Sequence, residues 1–341
     1  MPQPRLKDVA AAAGVHAATA SRALNERTAG MISPETVERV RRAAEELGYQ
    51  VNGMARALKT RRSLAVGMLV PDITNPFFPP IVRGAEDALA AAGYTLVLGN
   101  TDNDEAKERR HLSQMAQSQV DGFLLATARL RDPAIDRLRR GEVPFVLVNR
   151  TVERGGLSAV IPDDRAAMLL AVEHLHGLGH RRIGYVGGPL DTSTGARRAE
   201  GFRAAMRLHG LRDDAATLAA VFNATAGRRA AAELLAVRPR PTAIVAANDL
   251  LALGTLDAAA EAGLECPLGV SVVGVNDIPM ADRLSPSLTT ARVPEYELGR
   301  RSARLLLAHL ERPDRDPETV MLAPELIVRG STAPPRAPIG S

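Results

Sequence analysis

The sequence predicts a small all-α module followed by an α/β body of two doubly wound parallel-sheet lobes. Three observations carry this. From residue 64 onward, short apolar runs alternate with longer helical patterns for about 260 residues, which is strand–helix–strand spacing and too long for a single lobe. The first 62 residues contain no such runs and read instead as short helices with their own start and stop signals. The charge also divides at the same place. Residues 1–62 hold 11 Lys/Arg against 6 Asp/Glu, so the whole formal net charge of +4 sits in the first fifth of the 341-residue chain.

Within residues 5–48 the pattern predicts three helices. Leu6 to Ala13 is Ala-rich, with Leu6, Val9 and Ala10 on one face. Gly14-Val15 interrupts it, and Ala17 to Asn25 forms a second helix. Ser33-Pro34-Glu35 opens a third with an N-cap, a proline at the first helical position and an acid in the first turn; Gly48 stops it. Residues 49–62 form a linker with a short helical pattern from Asn52 to Lys59.

The body offers seven strand candidates: LAVGMLV (64–70), TLVLGN (95–100), GFLLA (122–126), PFVLVN (144–149), RIGYVGG (182–188), TAIVAAN (242–248) and VSVVGVN (270–276). Helices such as Phe78–Ala92, Glu105–Gln119, Arg165–Leu178 and Leu250–Ala262 lie between them. Alternation of this kind gives a parallel sheet covered on both faces. The final APPRAPIGS reads as a disordered tail.

Composition narrows the function. Apolar residues make up 45% and aromatics only 3%, with no Trp, so the core must be built mainly of Ala, Leu and Val. One cysteine, Cys266, excludes an intrachain disulfide and a multi-Cys metal site. No signal-peptide pattern and no apolar run of transmembrane length are seen, so the expected location is the cytoplasm, with no membrane partner. A basic terminal module on a neutral body points to nucleic acid or an anionic surface.

The stretch AAAAGVHAATASRALN (10–25) has what a helix-turn-helix requires. Ala10 is small where helices cross, Gly14 permits a tight turn, and Val15 anchors that turn. The second helix then offers Thr19, Ser21 and Arg22 for phosphate and guanine contacts. Taken alone, the same residues also suit a plain three-helix bundle.

LKDVAAAAGVHAATASRALN resembles the N-terminal signature of the lactose-repressor (LacI/GalR) family, and ISPETVERVRRAAEELGYQVNGMARALKTRRS resembles that family's third helix and hinge. The resemblance continues to about residue 332. It implies a helix-turn-helix DNA-binding domain joined to a periplasmic-binding-protein-like sensor. It also implies that Ala17, Ala18 and Arg22 face base edges, with Arg22 as the one strong polar reader. Thr19, Ser21 and Asn25 would position the module on the backbone. His16 stands where the family usually has Ser, and is expected to cap the helix less well. The hinge matches at Asn52, Ala55, Arg56 and Leu58, where Leu58 would act as a minor-groove wedge, its other reading being ordinary helix packing. A wedge needs two hinges, so a homodimer, possibly a higher assembly, on a palindromic site of double-stranded DNA is implied.

The segment PDITNPFFPPIVRGAEDALAAAGY (71–94) resembles the first strand–loop–helix of the periplasmic sugar-binding fold. The resemblance implies a small-molecule effector, most simply carbohydrate-like, contacted by Asn75, Phe78, Asn149, Arg150, Arg198, Phe222, Asn248 and Asn276. Asp249 and Asp277 follow two of these and share the expectation. Amides and guanidinium suit hydroxyls, and an aromatic face suits a sugar ring or purine. Each single Asn also has an ordinary reading as turn chemistry. Many relatives carry Asp at positions 149 and 276, where this chain has Asn, so this pocket should disfavour a cation and weakly tolerate a neutral or acidic ligand; many also carry Gln at Val293, so one hydrogen bond to the ligand is expected to be missing.

Other motifs are weaker. His174, His176 and His180 are read as structural, and RLRDPAIDRLRR (129–140) as a solvated helix face. Walker A, G-x-S-x-G and H-E-x-x-H patterns are absent, so no cofactor, metal or enzymatic activity is expected. The expected organisation is a helix-turn-helix domain (1–48), hinge and linker (49–62), first lobe (63–162 with 292–322), second lobe (163–291 with 323–332) and disordered tail (333–341). The expected function is an effector-controlled transcriptional regulator acting as a repressor; a solute-binding protein without DNA function is the alternative.

Overall fold

The structure, a computed structural model, describes residues 4–24, 26–49, 62–141 and 143–336. The chain divides into two compact units, Met1–Ser63 and Leu64–Ser341.

The first unit holds α1 (Leu6–Ala12), α2 (Ala17–Ala23), α3 (Glu26–Ala29) and α4 (Pro34–Glu46). Its core is small and mostly alanine: Val9, Ala10, Ala13, Ala20, Ala23, Val40, Ala43 and Ala44 are buried together. Gly14 holds φ +65°, and the Val15 amide reaches back to the Ala10 carbonyl at 2.9 Å, so the turn between α1 and α2 closes as the sequence requires. Arg39 Nε donates to the Ala13 carbonyl (2.9 Å) and ties α4 to that turn. Ser33 caps α4 by accepting from the Thr36 amide at 3.4 Å. The single-turn α3 was not expected, because four residues are too few to show a helical period.

In the second unit, β1 (Ala65–Val70), β2 (Thr95–Asn100), β3 (Gly122–Leu125), β4 (Phe145–Val148), β5 (Ala159–Pro162) and β11 (Thr319–Leu322) form one sheet. Its order is β11-β5-β4-β3-β1-β2, parallel throughout. The strands β6 (Ile183–Gly187), β7 (Ala216–Leu218), β8 (Ala243–Ala246), β9 (Ser271–Asn276), β10 (Thr289–Arg292) and β12 (Glu325–Ile327) form the other. The order here is β12-β10-β9-β8-β6-β7, parallel except for the antiparallel β12 edge. Central strands are buried on both faces, as β3, β8 and β9 show.

Helices α5 (Phe78–Ala91), α6 (Glu105–Gln117) and α7 (Pro133–Leu138) belong to the first lobe. Helices α8 (Asp164–Gly177), α9 (Ser193–Leu208), α10 (Ala224–Ala236) and α11 (Asp249–Glu261) belong to the second. After β10 the chain returns to the first lobe, where α12 (Glu295–Glu311) packs on α5 and on β3, β4 and β5. It therefore passes between the lobes three times: after β5, after β10 and between β11 and β12.

Five strands escaped the sequence pattern: β5, β7, β10, β11 and β12. They are three or four residues long, and β7, β11 and β12 lie at sheet edges or beside them with exposed positions, so they lack the continuous apolar run of a buried strand. Ala333, the first residue of the expected disordered tail, is instead held by hydrogen bonds. Ala333 bonds to Ser271 through its amide (3.1 Å), and its carbonyl meets His180 Nε2 at 2.9 Å. His174 meets Thr332 Oγ1 at 2.9 Å, and His176 stacks on His209. The three histidines thus serve packing and the docking of the C-terminal segment. Cys266, half-buried, donates to the Ser331 carbonyl, and burial pushes its thiol up to about 12.

Two local constraints generate predictions. Helices α5 and α12 cross at backbone contact: a Cβ on Gly299 would sit 1.8 Å from the Ile81 carbonyl oxygen, and one on Gly84 would sit 2.1 Å from that of Tyr296. Gly299→Ala should therefore force the helices apart and cost about 1–3 kcal/mol, read as a lower urea midpoint. In the second lobe, Asp249 is fully buried and accepts from Thr290 Oγ1 (2.6 Å) and the Ile278 amide (2.8 Å). Burial pushes its carboxyl up to about 7. An acid raised in the folded state contributes stability present below its unfolded pKa and lost as pH rises through the folded one. Relative to Asp249→Asn, the wild type should lose stability between about pH 4 and pH 7 and change no further above that; parallel urea midpoints across this range would refute it.

Candidate functional site

Both sheets end their parallel strands at one cleft of about 540 Å³. In open α/β folds the strand ends nearest the order reversal leave a crevice, and here the reversals fall at β1/β3 and at β6/β8. All eight residues expected to meet a ligand line this cleft: Asn75, Phe78, Asn149 and Arg150 from the first lobe, Arg198, Phe222, Asn248 and Asn276 from the second. Asp249 and Asp277 do not. Asp249 turns beneath β10, and Asp277 pairs with Arg292 (2.8 Å) and Arg329 (2.6 Å).

Several of these side chains hold the fold as well as facing the cleft. Asn75 Oδ1 accepts from the Phe77 amide (3.1 Å). Asn248 Oδ1 caps α11 by accepting from the Leu251 amide (2.9 Å). The ordinary turn chemistry is thus real, yet in each case it occupies the oxygen and leaves Nδ2 with no protein partner among the described residues. Asn149 follows β4 in the left-handed region (φ +64°), which asparagine tolerates better than most residues, and Asn276 ends β9 with φ +120°. That backbone turn presents their amides at the strand ends.

Arg198, 3% exposed, is fixed on every side. Its Nε donates to Asp164 Oδ1 (2.7 Å), Nη1 to the Ala247 carbonyl (2.6 Å) and Nη2 to Asn276 Oδ1 (3.4 Å). It joins the starts of α8 and α9 to the ends of β8 and β9. Burial raises the Asp164 carboxyl, and Arg198 opposes that rise. Phe222 closes the second lobe's wall, its ring lying where a Cβ on Gly188 would come within 2.1 Å. Opposite, Phe77 and Phe78 pack edge to face at 5.2 Å.

The sequence reading missed contacts that span the cleft. The sequence pattern puts Arg129 on a solvated helix face, but it precedes α7 and binds across the lobes through Nη1, 3.1 Å from Asp191, while Nη2 donates to the Asn103 carbonyl of its own lobe. The Leu130 amide donates to the Asp191 carbonyl (2.8 Å), and the Thr151 amide to Ser193 Oγ (2.9 Å). No sequence signal pairs Arg129 with Asp191 or Thr151 with Ser193, because the partners lie in different lobes, far apart in the chain. The correction is physical: an arginine run that looked like one face is divided between cleft and surface.

In the first unit, Ala18 and Arg22 lie one turn apart on the exposed side of α2, while Ala20 and Ala23 face the core. Thr19, Ser21 and Ala17 are half-buried. His16 does cap α2, its Nδ1 accepting from the Ala18 amide at 3.2 Å, so the cap expected to weaken is present. Asn25 and the hinge residues Asn52, Ala55, Arg56 and Leu58 lie outside the described residues.

Comparison with known proteins agrees with this arrangement. Residues 5–52 match the family model "Bacterial regulatory proteins, lacI family", and residues 172–332 match the periplasmic binding protein-like domain. The ribose operon repressor of Halalkalibacterium halodurans is 35% identical over 96% of this chain and 96% of its own length. The transcriptional repressor CytR of Escherichia coli K12 is 35% identical over the same shares. Among solved structures, the CelR–cellobiose complex superposes with a TM-score of 0.74 at 32% identity, covering 96% of this chain and 99% of that one. The lac repressor dimer bound to operator and the anti-inducer ONPF reaches 0.86 at 26% identity, covering 97% and 99%. The chain belongs to the LacI family and is a DNA-binding transcriptional regulator, not a solute-binding protein.

Proposed function

We propose that this regulator represses transcription by holding a palindromic operator as a homodimer, and that a small polar, sugar-like effector bound in the cleft between the lobes controls that grip. The observation that carries this reading is the cleft at facing strand ends, lined by amides, arginines and aromatic rings, in a chain with an N-terminal helix-turn-helix. The relatives support it: the CelR structure holds cellobiose, an Enterococcus faecium family member holds ribose, and the lac repressor is a dimer on operator.

On DNA, Arg22 reads a guanine edge, Ala17 and Ala18 offer methyl contacts, and His16, Thr19, Ser21 and Asn25 position the module. Asn52, Ala55, Arg56 and Leu58 form the hinge that kinks the duplex. In the cleft, the Nδ2 groups of Asn75 and Asn248 donate to hydroxyls, Asn149, Arg150 and Asn276 bind the polar face, Arg198 holds that wall in place, and Phe78 and Phe222 stack on the ring. Binding closes or reorients the lobes about three crossings, so an effector acts by preferring one orientation. The proposed action is binding, as in the repressors that the chain resembles, and the cleft carboxylates are engaged, Asp72 with Thr74, Asp102 with Lys107 and Asp191 with Arg129. No helix among the described residues is long and apolar enough to cross a membrane, and the protein works in the cytoplasm, where operator DNA lies.

Arg22→Ala should weaken operator binding by about 1–3 kcal/mol and relax preference at one base pair, read by footprinting against a single-substitution operator series. An unchanged footprint would remove α2 as the reading helix. Phe222→Ala tests the cleft. It should weaken effector binding at least about tenfold in calorimetry while leaving operator affinity without effector unchanged. Arg198→Ala is the poorer probe, since it strands Asp164 unpaired in the core at about 3–5 kcal/mol.

A further inference from the structure

Among the described residues that line the cleft, one cation stands without a counter-ion within 4 Å. Arg129 is paired with Asp191, Arg198 with Asp164, and Asp102 with Lys107. Asp72 is turned onto the Thr74 hydroxyl and amide. Arg150 has no such partner. It is 6% exposed, its Nε has no hydrogen-bond partner, and its guanidinium makes no ion pair within 4 Å among the described residues. Asp191 and Glu108 act on it only from beyond that distance, and Glu108 is itself held by Thr127. Burial lowers the guanidinium to about 10, so it stays charged at neutral pH. Next to it, Asn149 Oδ1 is buried with no donor.

A buried cation without a counter-charge is costly, and a ligand that supplies the charge recovers that cost on binding. A neutral hydroxyl offers Arg150 only single, weaker hydrogen bonds. An oxyanion matches the planar guanidinium with two parallel ones. We propose that the effector is an anionic carbohydrate, a sugar phosphate or a sugar acid, whose oxyanion pairs with Arg150 while a neighbouring hydroxyl donates to Asn149 Oδ1. The inference rests on the cleft being the effector site. It adds the sign of the ligand's charge and the residue that recognises it.

Calorimetric titration of the full-length protein with matched probes tests this. One series is ribose, ribose 5-phosphate and ribonate; the other is glucose, glucose 6-phosphate and gluconate. A charged member should bind about tenfold or more tightly than its neutral parent. That advantage should vanish in Arg150→Gln and survive in part in Arg150→Lys, which keeps the charge without the fork. The phosphate and carboxylate arms say which oxyanion is read. Equal affinities within both series, no binding by any charged probe, or a preference that survives Arg150→Gln overturns the anionic reading and leaves the cleft as the site. Binding unchanged by Arg150→Gln, Phe222→Ala and Asn276→Ala alike places the probe elsewhere and overturns both.

Discussion

The buried Arg198–Asp164 pair organises the second half of the cleft. Two charges at 2.7 Å, each almost fully removed from water, are tolerable only when the remaining donors are also used. Arg198 spends them on the Ala247 carbonyl and on Asn276. Through that one guanidinium, the starts of two helices and the ends of two strands share a single geometry. Asn248, one residue beyond Ala247, is then aimed by its own cap on α11. The wall is rigid because its polar groups are mutually satisfied, and what faces the cleft is what the wall leaves over.

The first lobe is built on a different balance. Its polar end groups are less completely paired: Arg150 Nε and Asn149 Oδ1 are buried without partners among the described residues. The two halves of the site therefore differ in kind, one pre-bonded and one open. A ligand between them would complete the hydrogen bonding of the first lobe against the fixed surface of the second. Direct bonds across the cleft, from Arg129 to Asp191 and from the Thr151 amide to Ser193, already hold these walls near one another. Any opening of the cleft must therefore break these polar contacts and bend the three short crossings between the lobes.

The DNA-binding unit depends on a third kind of constraint. Its core is alanine-rich, so its helices pack by close approach and its stability leans on caps and turn geometry. Gly14, His16, Ser33 and Arg39 each close a backbone group that a larger domain would cover with apolar surface.

By itself the sequence left a helix-turn-helix beside a plain three-helix bundle, with the family resemblance choosing between them, and it determined the two-part architecture and the polar positions at the strand ends. These follow from local rules: a period of buried strands, a glycine at a left-handed turn, Ser-Pro-Glu at a helix start, and charge confined to one segment. Only the tertiary structure decided which strand-end residues face the cleft. Asn248 and Asp249 are neighbours, yet one lines the site and the other turns under β10, because the cap geometry of α11 sends them opposite ways. It also decided the short edge strands β7, β11 and β12, which exist because a neighbouring strand offers them a ladder and not because their residues form an apolar run. The unpaired state of Arg150 belongs to the same class: a missing counter-ion is a property of what surrounds a residue in space, and no local pattern encodes it.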